Sequence, residues 1–178
     1  MNIFKFFYSY SQTRKAWLLL ATSACMLEII ALYFQHDMGL RPCVLCIYER
    51  IAIFAILAAG LIAAMAPKSA FRLVALILWL YSSWEGLKLT FEHTRLQLYP
   101  SPFDSCDFVV NFPLWLPLNR WLPTVFEAYG DCSQKQWSFL NIEMPVWLLI
   151  IFIAYFLVAI IGLLSQLLWF KKIVIKTI

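Results

Sequence analysis

Four stretches of this chain are each long and apolar enough to cross a lipid bilayer, and no other feature constrains the fold as strongly. A spanning helix needs about 20 mainly apolar residues. That requirement is met by approximately Trp17 to Phe34, Ile47 to Ala66, Phe71 to Thr90 and Pro145 to Trp169. Charged residues make up only 13% of the 178, against roughly a quarter in a soluble domain, and an aromatic content of 17% excludes disorder. The expected fold is an all-α membrane protein, residues 1–178 forming one domain built on a bundle of four transmembrane helices.

An even number of crossings puts both termini on one side, and charge says which. Lys5, Arg14, Lys15, Lys68, Arg72, Lys171, Lys172 and Lys176 occupy the tails and the middle loop without one acidic residue. The opposite face mixes Arg41, Arg95, Arg120 and Lys135 with Asp37, Glu92, Asp104, Asp107, Glu127, Asp131 and Glu143. By the positive-inside rule the first face is cytoplasmic, and so are both termini. The net charge of +4 is therefore topogenic. It forms no single basic patch of the kind that binds nucleic acid.

The basic start and the run through Thr22-Ser23-Ala24-Cys25 faintly resemble a cleaved lipoprotein leader. A mature lipoprotein would need a polar tether after the cysteine, whereas Ile29, Ile30, Leu32 and Phe34 keep the run apolar, so the first segment is read as a retained helix. The two non-cytoplasmic loops are unequal, about 35–46 and about 91–144. In the long one, Pro100, Pro102, Pro113, Pro117 and Pro123 interrupt any extended helix. Trp115, Leu118, Trp121, Leu122, Val125 and Phe126 still recur at roughly helical spacing. They predict a short interfacial helix lying in the headgroup layer, or an aromatic stripe covering the outer end of the bundle. Ala59, Gly60, Ala63 and Ala64 form a small-residue stripe on the second span, which lets a neighbouring backbone approach.

Of five cysteines, Cys25 lies inside the first span and reads as a small buried hydrophobe, while Cys43, Cys46, Cys106 and Cys132 fall on the non-cytoplasmic face. An even number there suggests two disulfides. Three pairings exist. The spacing makes Cys43 with Cys46, and Cys106 with Cys132, the economical one, because residues three apart at a helix head share a face. Closing a loop of about 4 residues restricts the unfolded chain by only ~1.9 kcal/mol, against ~3.6 kcal/mol for about 27. A stapling role therefore suits Cys106/Cys132 better. Cys43/Cys46 instead sits at a helix N-terminus between Arg41 and Arg50, where a thiolate is favoured and exchange chemistry with it. Zinc is the other reading of Cys-x-x-Cys, but no second such pair follows.

Arg50, one turn into a span, is costly to place there and marks a partner or a ligand. Snorkelling, or pairing with Glu49 or Glu28, explains it equally well on the residues alone. His93, just past the third span, is open to two readings as well: a solvated helix-end histidine, or a proton donor at the same membrane level.

Taken together, Gln35-His36, Arg41-Pro42-Cys43-Val44-Leu45-Cys46-Ile47-Tyr48-Glu49-Arg50, Tyr81-Ser82, Glu92-His93-Thr94, Leu96-Gln97-Leu98-Tyr99-Pro100-Ser101-Pro102-Phe103, Cys106-Asp107-Phe108, Gly130-Asp131-Cys132, Gln136-Trp137 and Glu143-Met144-Pro145 closely resemble the DsbB family. These are disulfide bond formation proteins of the bacterial inner membrane. The likeness runs from the first span to the end of the fourth and weakens at the tails; the family pattern does not require Cys25.

The resemblance implies a quinone-dependent protein-thiol oxidoreductase that reoxidises the periplasmic thioredoxin-fold oxidase DsbA and hands the electrons to ubiquinone or menaquinone, a relay known to keep the periplasm oxidising. It implies that DsbA attacks Cys106 of the Cys106/Cys132 disulfide, that Cys43/Cys46 reoxidises that pair, and that Cys46 meets the quinone. In the implied site Arg50 binds a quinone carbonyl, His93 orients the ring or supplies a proton, and Glu49 supports them. DsbA stands at about −120 mV, and each 30 mV of a two-electron couple is about 1.4 kcal/mol, so the last acceptor must be strongly oxidising. The segment around Pro100, Pro102, Phe103 and Cys106 reads as an extended bait for a partner's groove. Two rivals remain: a non-catalytic assembly or transport module whose cysteines are staples, and a vitamin-K-epoxide-reductase-like enzyme. Gly130-Asp131-Cys132 and Leu98-Tyr99-Pro100-Ser101-Pro102 favour the DsbB family over the latter.

Overall fold

The structure, a computed structural model, describes residues 3–99 and 109–177, with side-chain surroundings as far as residue 168. A short α1 (Ile3–Ser11) leads into three long helices, α2 (Arg14–His36), α3 (Val44–Met65) and α4 (Phe71–Leu98). Two single-turn helices, α5 (Leu118–Trp121) and α6 (Pro123–Phe126), and a two-stranded hairpin, β1 (Ser138–Phe139) with β2 (Ile142–Glu143), precede the long α7 (Met144–Thr177).

Local chemistry sets the helix ends. Thr13 caps α2, its side chain accepting from the Ala16 backbone N–H, so the helix starts before the apolar run. After His36 the backbone N–H groups of Asp37 and Met38 both return to the Tyr33 carbonyl, and Gly39 turns the chain with φ +67°. α3 begins one turn earlier than the apolar count predicts, because Cys43 caps it. α4 runs two turns past Thr90, which brings His93 and Gln97 into the bundle as buried residues.

α2 packs on α3, α3 on α4 and α4 on α7, while α1 packs against α7. Trp17, Leu20, Ala24, Ile53, Ile56, Leu76, Trp79 and Phe152 form the central core. The small-residue stripe does what its pattern suggests. A Cβ on Gly60 would meet the Ala21 backbone nitrogen at 2.9 Å and the Trp17 carbonyl oxygen at 3.0 Å, so α2 and α3 are in near-backbone contact there. Gly86 admits the Phe152 ring of α7, which a Cβ would meet at 2.0 Å. Leu19, Ile29, Leu61, Ile77, Leu157 and Leu167 point outward, as lipid-facing side chains do.

Among the described residues three helices are long and apolar enough to cross a membrane, within Arg14–His36, Val44–Met65 and Met144–Leu168. The remaining expected span, Phe71 to Thr90, lies within α4, whose Ser82, Ser83, Glu85, Lys88 and Thr90 dilute its apolar content. The loop differs from the single interfacial helix expected. Pro123 breaks the pattern into α5 and α6, and the two ends face opposite ways. Trp115, Trp121 and Leu122 are exposed, whereas Phe126 is buried against Val44, Ile47 and Val110. The hairpin has no counterpart in the sequence reading; its tight turn places Leu140 (φ 53°) and Asn141 (φ 60°) in the left-handed region, the signature of a two-residue hairpin loop.

Candidate active site

The site starts at Cys43, the residue before α3. Its backbone is extended (φ −85°, ψ 173°), and its Sγ accepts from the backbone N–H of Cys46 at 3.3 Å. Capping and the three-residue spacing bring the two sulfurs to 2.9 Å, and the pair stands as two thiols. The expected Cys43–Cys46 bond is thus open in this structure, with the sulfurs already in contact. Cys43 is buried and Cys46 partly exposed.

Glu49 and Arg50, on the next turn of α3, take separate partners. Glu49 Oε1 lies 2.9 Å from Nδ1 of His93, and the opposite ring nitrogen, Nε2, is 3.7 Å from Cys43 Sγ. A buried carboxylate thus fixes the imidazole so that its free nitrogen faces sulfur. Arg50 Nη1 donates to Gln35 Oε1 at 2.8 Å and to the carbonyl of Val125 in α6. Its Nε is 3.6 Å from Glu28 Oε2, an ion pair without a hydrogen bond, in a place where both side chains are buried. Of the two partners considered for Arg50, Glu28 is therefore the one it meets, while Glu49 serves His93.

A clamp holds the outer loop against the first cysteine pair. Gln136 uses both ends of its amide on Arg41, accepting from its N–H at 2.8 Å and donating to its carbonyl at 2.9 Å. The next carbonyl, of Pro42, accepts from Tyr129 and Gly130 at 2.9 and 3.0 Å. Gly130 must lack a side chain, because a Cβ would stand 2.3 Å from the Arg41 carbonyl oxygen. The clamp sets Cys132 into one buried cluster with Cys43, Leu45 and Leu96, with Cys46 against it. Cys132 is disulfide-bonded. Its expected partner Cys106, with Pro100, Pro102 and Phe103, lies outside the described residues.

Beside the thiols is a cavity of about 320 Å³. Leu27, Ile30 and Phe34 of α2 and Trp147, Leu148 and Ile151 of α7 supply apolar wall; Cys43, Cys46, Glu49, Arg50, His93 and Gln97 supply the polar part. A mostly apolar hollow with a few convergent polar groups is the usual form of a small-molecule site.

The family model described as "Disulfide bond formation protein DsbB" matches residues 13–162. The chain belongs to the DsbB family. It is 59% identical over 162 residues to disulfide bond formation protein B of Escherichia coli (strain K12), covering 91% of this chain and 92% of that one. The Shigella boydii protein of the same description matches equally, and that of Photorhabdus laumondii is 60% identical over 156 residues, 88% of this chain and 92% of its own.

For a DsbB-family chain, the structure brings together Cys43, Cys46, Cys132, Glu49, Arg50 and His93, six of the seven residues singled out from sequence. Cys25, read from sequence as a buried hydrophobe, is instead free and partly exposed on α2, and it is not among the residues lining the cavity. Sequence reasoning assigned no role to Gln35, which the family likeness quoted without a task, nor to Gln97, which is buried and donates to the Gln134 carbonyl at 2.8 Å. Gln35 had a signal: it lies seven residues from Glu28, hence on the same face of α2. Gln136 and the Val125 carbonyl had none, since their partners are distant in the chain.

Proposed function

We propose that the protein is a quinone-dependent thiol oxidase of the bacterial inner membrane, which reoxidises a DsbA-like periplasmic oxidase. The observation that carries this reading is that Cys46 and Arg50 line one apolar cavity at the end of the bundle where Cys132 packs on Cys43. Both termini are cytoplasmic, and α4 is a crossing too, the third of four. Its buried hydroxyls support that assignment: Ser82, Ser83 and Thr90 each donate to the carbonyl four residues back, at 2.8 Å, so they are satisfied without water.

A thiolate of the reduced partner attacks Cys106 in the Cys106/Cys132 disulfide, and Cys132 leaves as thiolate. The partner's second thiol then closes its own disulfide, and the loop pair is left reduced. Exchange with a Cys43/Cys46 disulfide restores the Cys106/Cys132 bond and converts Cys43/Cys46 to the dithiol. A quinone bound in the cavity would supply the final two-electron acceptor, to which Cys43 and Cys46 give up two electrons and two protons as the Cys43–Cys46 bond closes again.

The residues fit such a guest. The cavity suits an apolar ring, and Arg50 Nε, buried and without a hydrogen bond, is an unused donor beside it. Arg50 would hold a ring oxygen and stabilise negative charge there, as an oxyanion site does. His93, held by Glu49, would take the proton of Cys43 through Nε2. Ubiquinone and menaquinone both present the carbonyls this site would bind. The test is a reconstituted assay with purified protein, reduced DsbA and each quinone in turn. Loss of quinone absorbance that tracks thiol oxidation is expected. Thiol oxidation that proceeds without quinone contradicts the reading, and retained turnover in a Cys43→Ser/Cys46→Ser protein returns the cysteines to mere staples.

A further inference from the structure

We propose that the reduced Cys43/Cys46 pair and His93 form a binding site for one soft divalent cation of the zinc or cadmium type, formed only in the dithiol state. The Sγ atoms of Cys43 and Cys46 and a ring nitrogen of His93 all lie within 4.8 Å of one another. Cys43 Sγ is 3.7 Å from His93 Nε2, close to the ~3.6 Å edge that a tetrahedral site with Zn–S ≈ 2.3 Å and Zn–N ≈ 2.0–2.1 Å requires. The sulfurs, 2.9 Å apart, need to open to roughly 3.8 Å, the corresponding S···S edge. Cys46, the less buried of the two, lines the cavity, into which its sulfur would turn.

The surroundings suit a metal as well. Glu49 Oε1 holds His93 Nδ1 at 2.9 Å, which is the carboxylate–histidine arrangement that fixes a ligating imidazole and raises its basicity. Three protein ligands leave a fourth position open toward the cavity. No redox change is involved: one cation enters, two thiol protons leave, and both sulfurs bind as thiolates. An oxidised pair offers no thiolate, so binding is confined to the reduced form. The cation would then hold the enzyme short of its quinone step. That inhibition rests on the proposed function, but the binding does not.

The experiment uses the full-length protein in detergent with Cys106 and Cys132 replaced by serine, so that no other loop thiol competes. Cd²⁺ is added to the reduced and the oxidised forms while thiolate-to-metal charge-transfer absorption is followed. One equivalent is expected to bind the reduced form and none the oxidised form, which retains Cys25 and serves as a folded control. Glu49→Gln is expected to weaken binding about 10- to 100-fold, and His93→Ala to weaken it further. Absence of the absorption in the reduced protein, its presence in the oxidised protein, or unchanged affinity in His93→Ala would overturn the proposal. Quinone turnover of the unsubstituted protein is measured in parallel. Turnover without cadmium binding defeats the metal site alone, and binding without turnover defeats the functional reading alone.

Discussion

Arg50 shows how one residue can carry both structural and functional weight. It pairs with Glu28 and ties α2 and α6 to α3 through Gln35 and the Val125 carbonyl. Arg50→Gln leaves Glu28 buried without its counter-charge, a change that costs on the order of 3–5 kcal/mol. Its melting temperature in detergent should fall, and Glu28→Gln in the same chain should restore much of the loss. Turnover should not return with it. A charge-assisted hydrogen bond contributes about 1.5–3 kcal/mol, so the quinone KM of the double variant should stay raised roughly 10- to 150-fold. A double variant with normal KM would show that Arg50 serves only to pair Glu28. Glu49→Gln tests the other arm: thiol-to-quinone transfer should slow while quinone KM holds, because Glu49 reaches the reaction through His93 and Cys43. An unchanged rate would remove Glu49 from the proton path.

Elements are joined by close approaches that a side chain would prevent. Gly86→Ala forces α4 and α7 apart at Phe152. Overpacking of that kind typically costs 1–3 kcal/mol, and the melting temperature should fall accordingly, with recovery when Phe152 is also shortened to leucine. Gly130→Ala acts at the clamp, where its Cβ would strike the Arg41 carbonyl. Exchange between the two cysteine pairs should slow severalfold in stopped-flow measurements, with quinone reduction by a pre-reduced Cys43/Cys46 pair kept. Equal slowing of both steps would mean that the clamp shapes the cavity rather than aligning the pairs. The sequence made the helices legible through apolar run length, and the first cysteine pair through its place at a helix head. It could not reveal that Gln136 grips Arg41, or that Pro123 splits the loop helix and turns Phe126 inward while Trp121 faces out. Such contacts depend on which surfaces meet, whereas periodicity reports only which residues share a face. The same limit left Arg50 undecided between Glu28 and Glu49, since a helix turn carries both and tertiary packing chooses.

At the scale of the whole molecule, charge and redox chemistry point the same way. In the proposed topology the basic tails and middle loop set one end of the bundle toward the cytoplasm, and Cys43, Cys46 and Cys132 gather at the other, where the proposed relay requires an oxidising compartment and a lipid-borne acceptor. A reporter enzyme active only in the periplasm should therefore be active when fused after residue 112 and silent when fused after Lys68 or at the C-terminus. The reverse pattern would invert the proposed topology. The central claim, that electrons leave through Cys46 into the cavity beside Arg50, is tested most directly by an anaerobic single turnover. Protein loaded with one quinone is mixed with reduced DsbA, and quinone absorbance is followed together with free thiols. One quinone should be reduced for every two partner thiols oxidised, and Cys46→Ser should abolish the quinone signal while mixed disulfides still form. Stoichiometric quinone reduction in the Cys46→Ser protein would contradict the account.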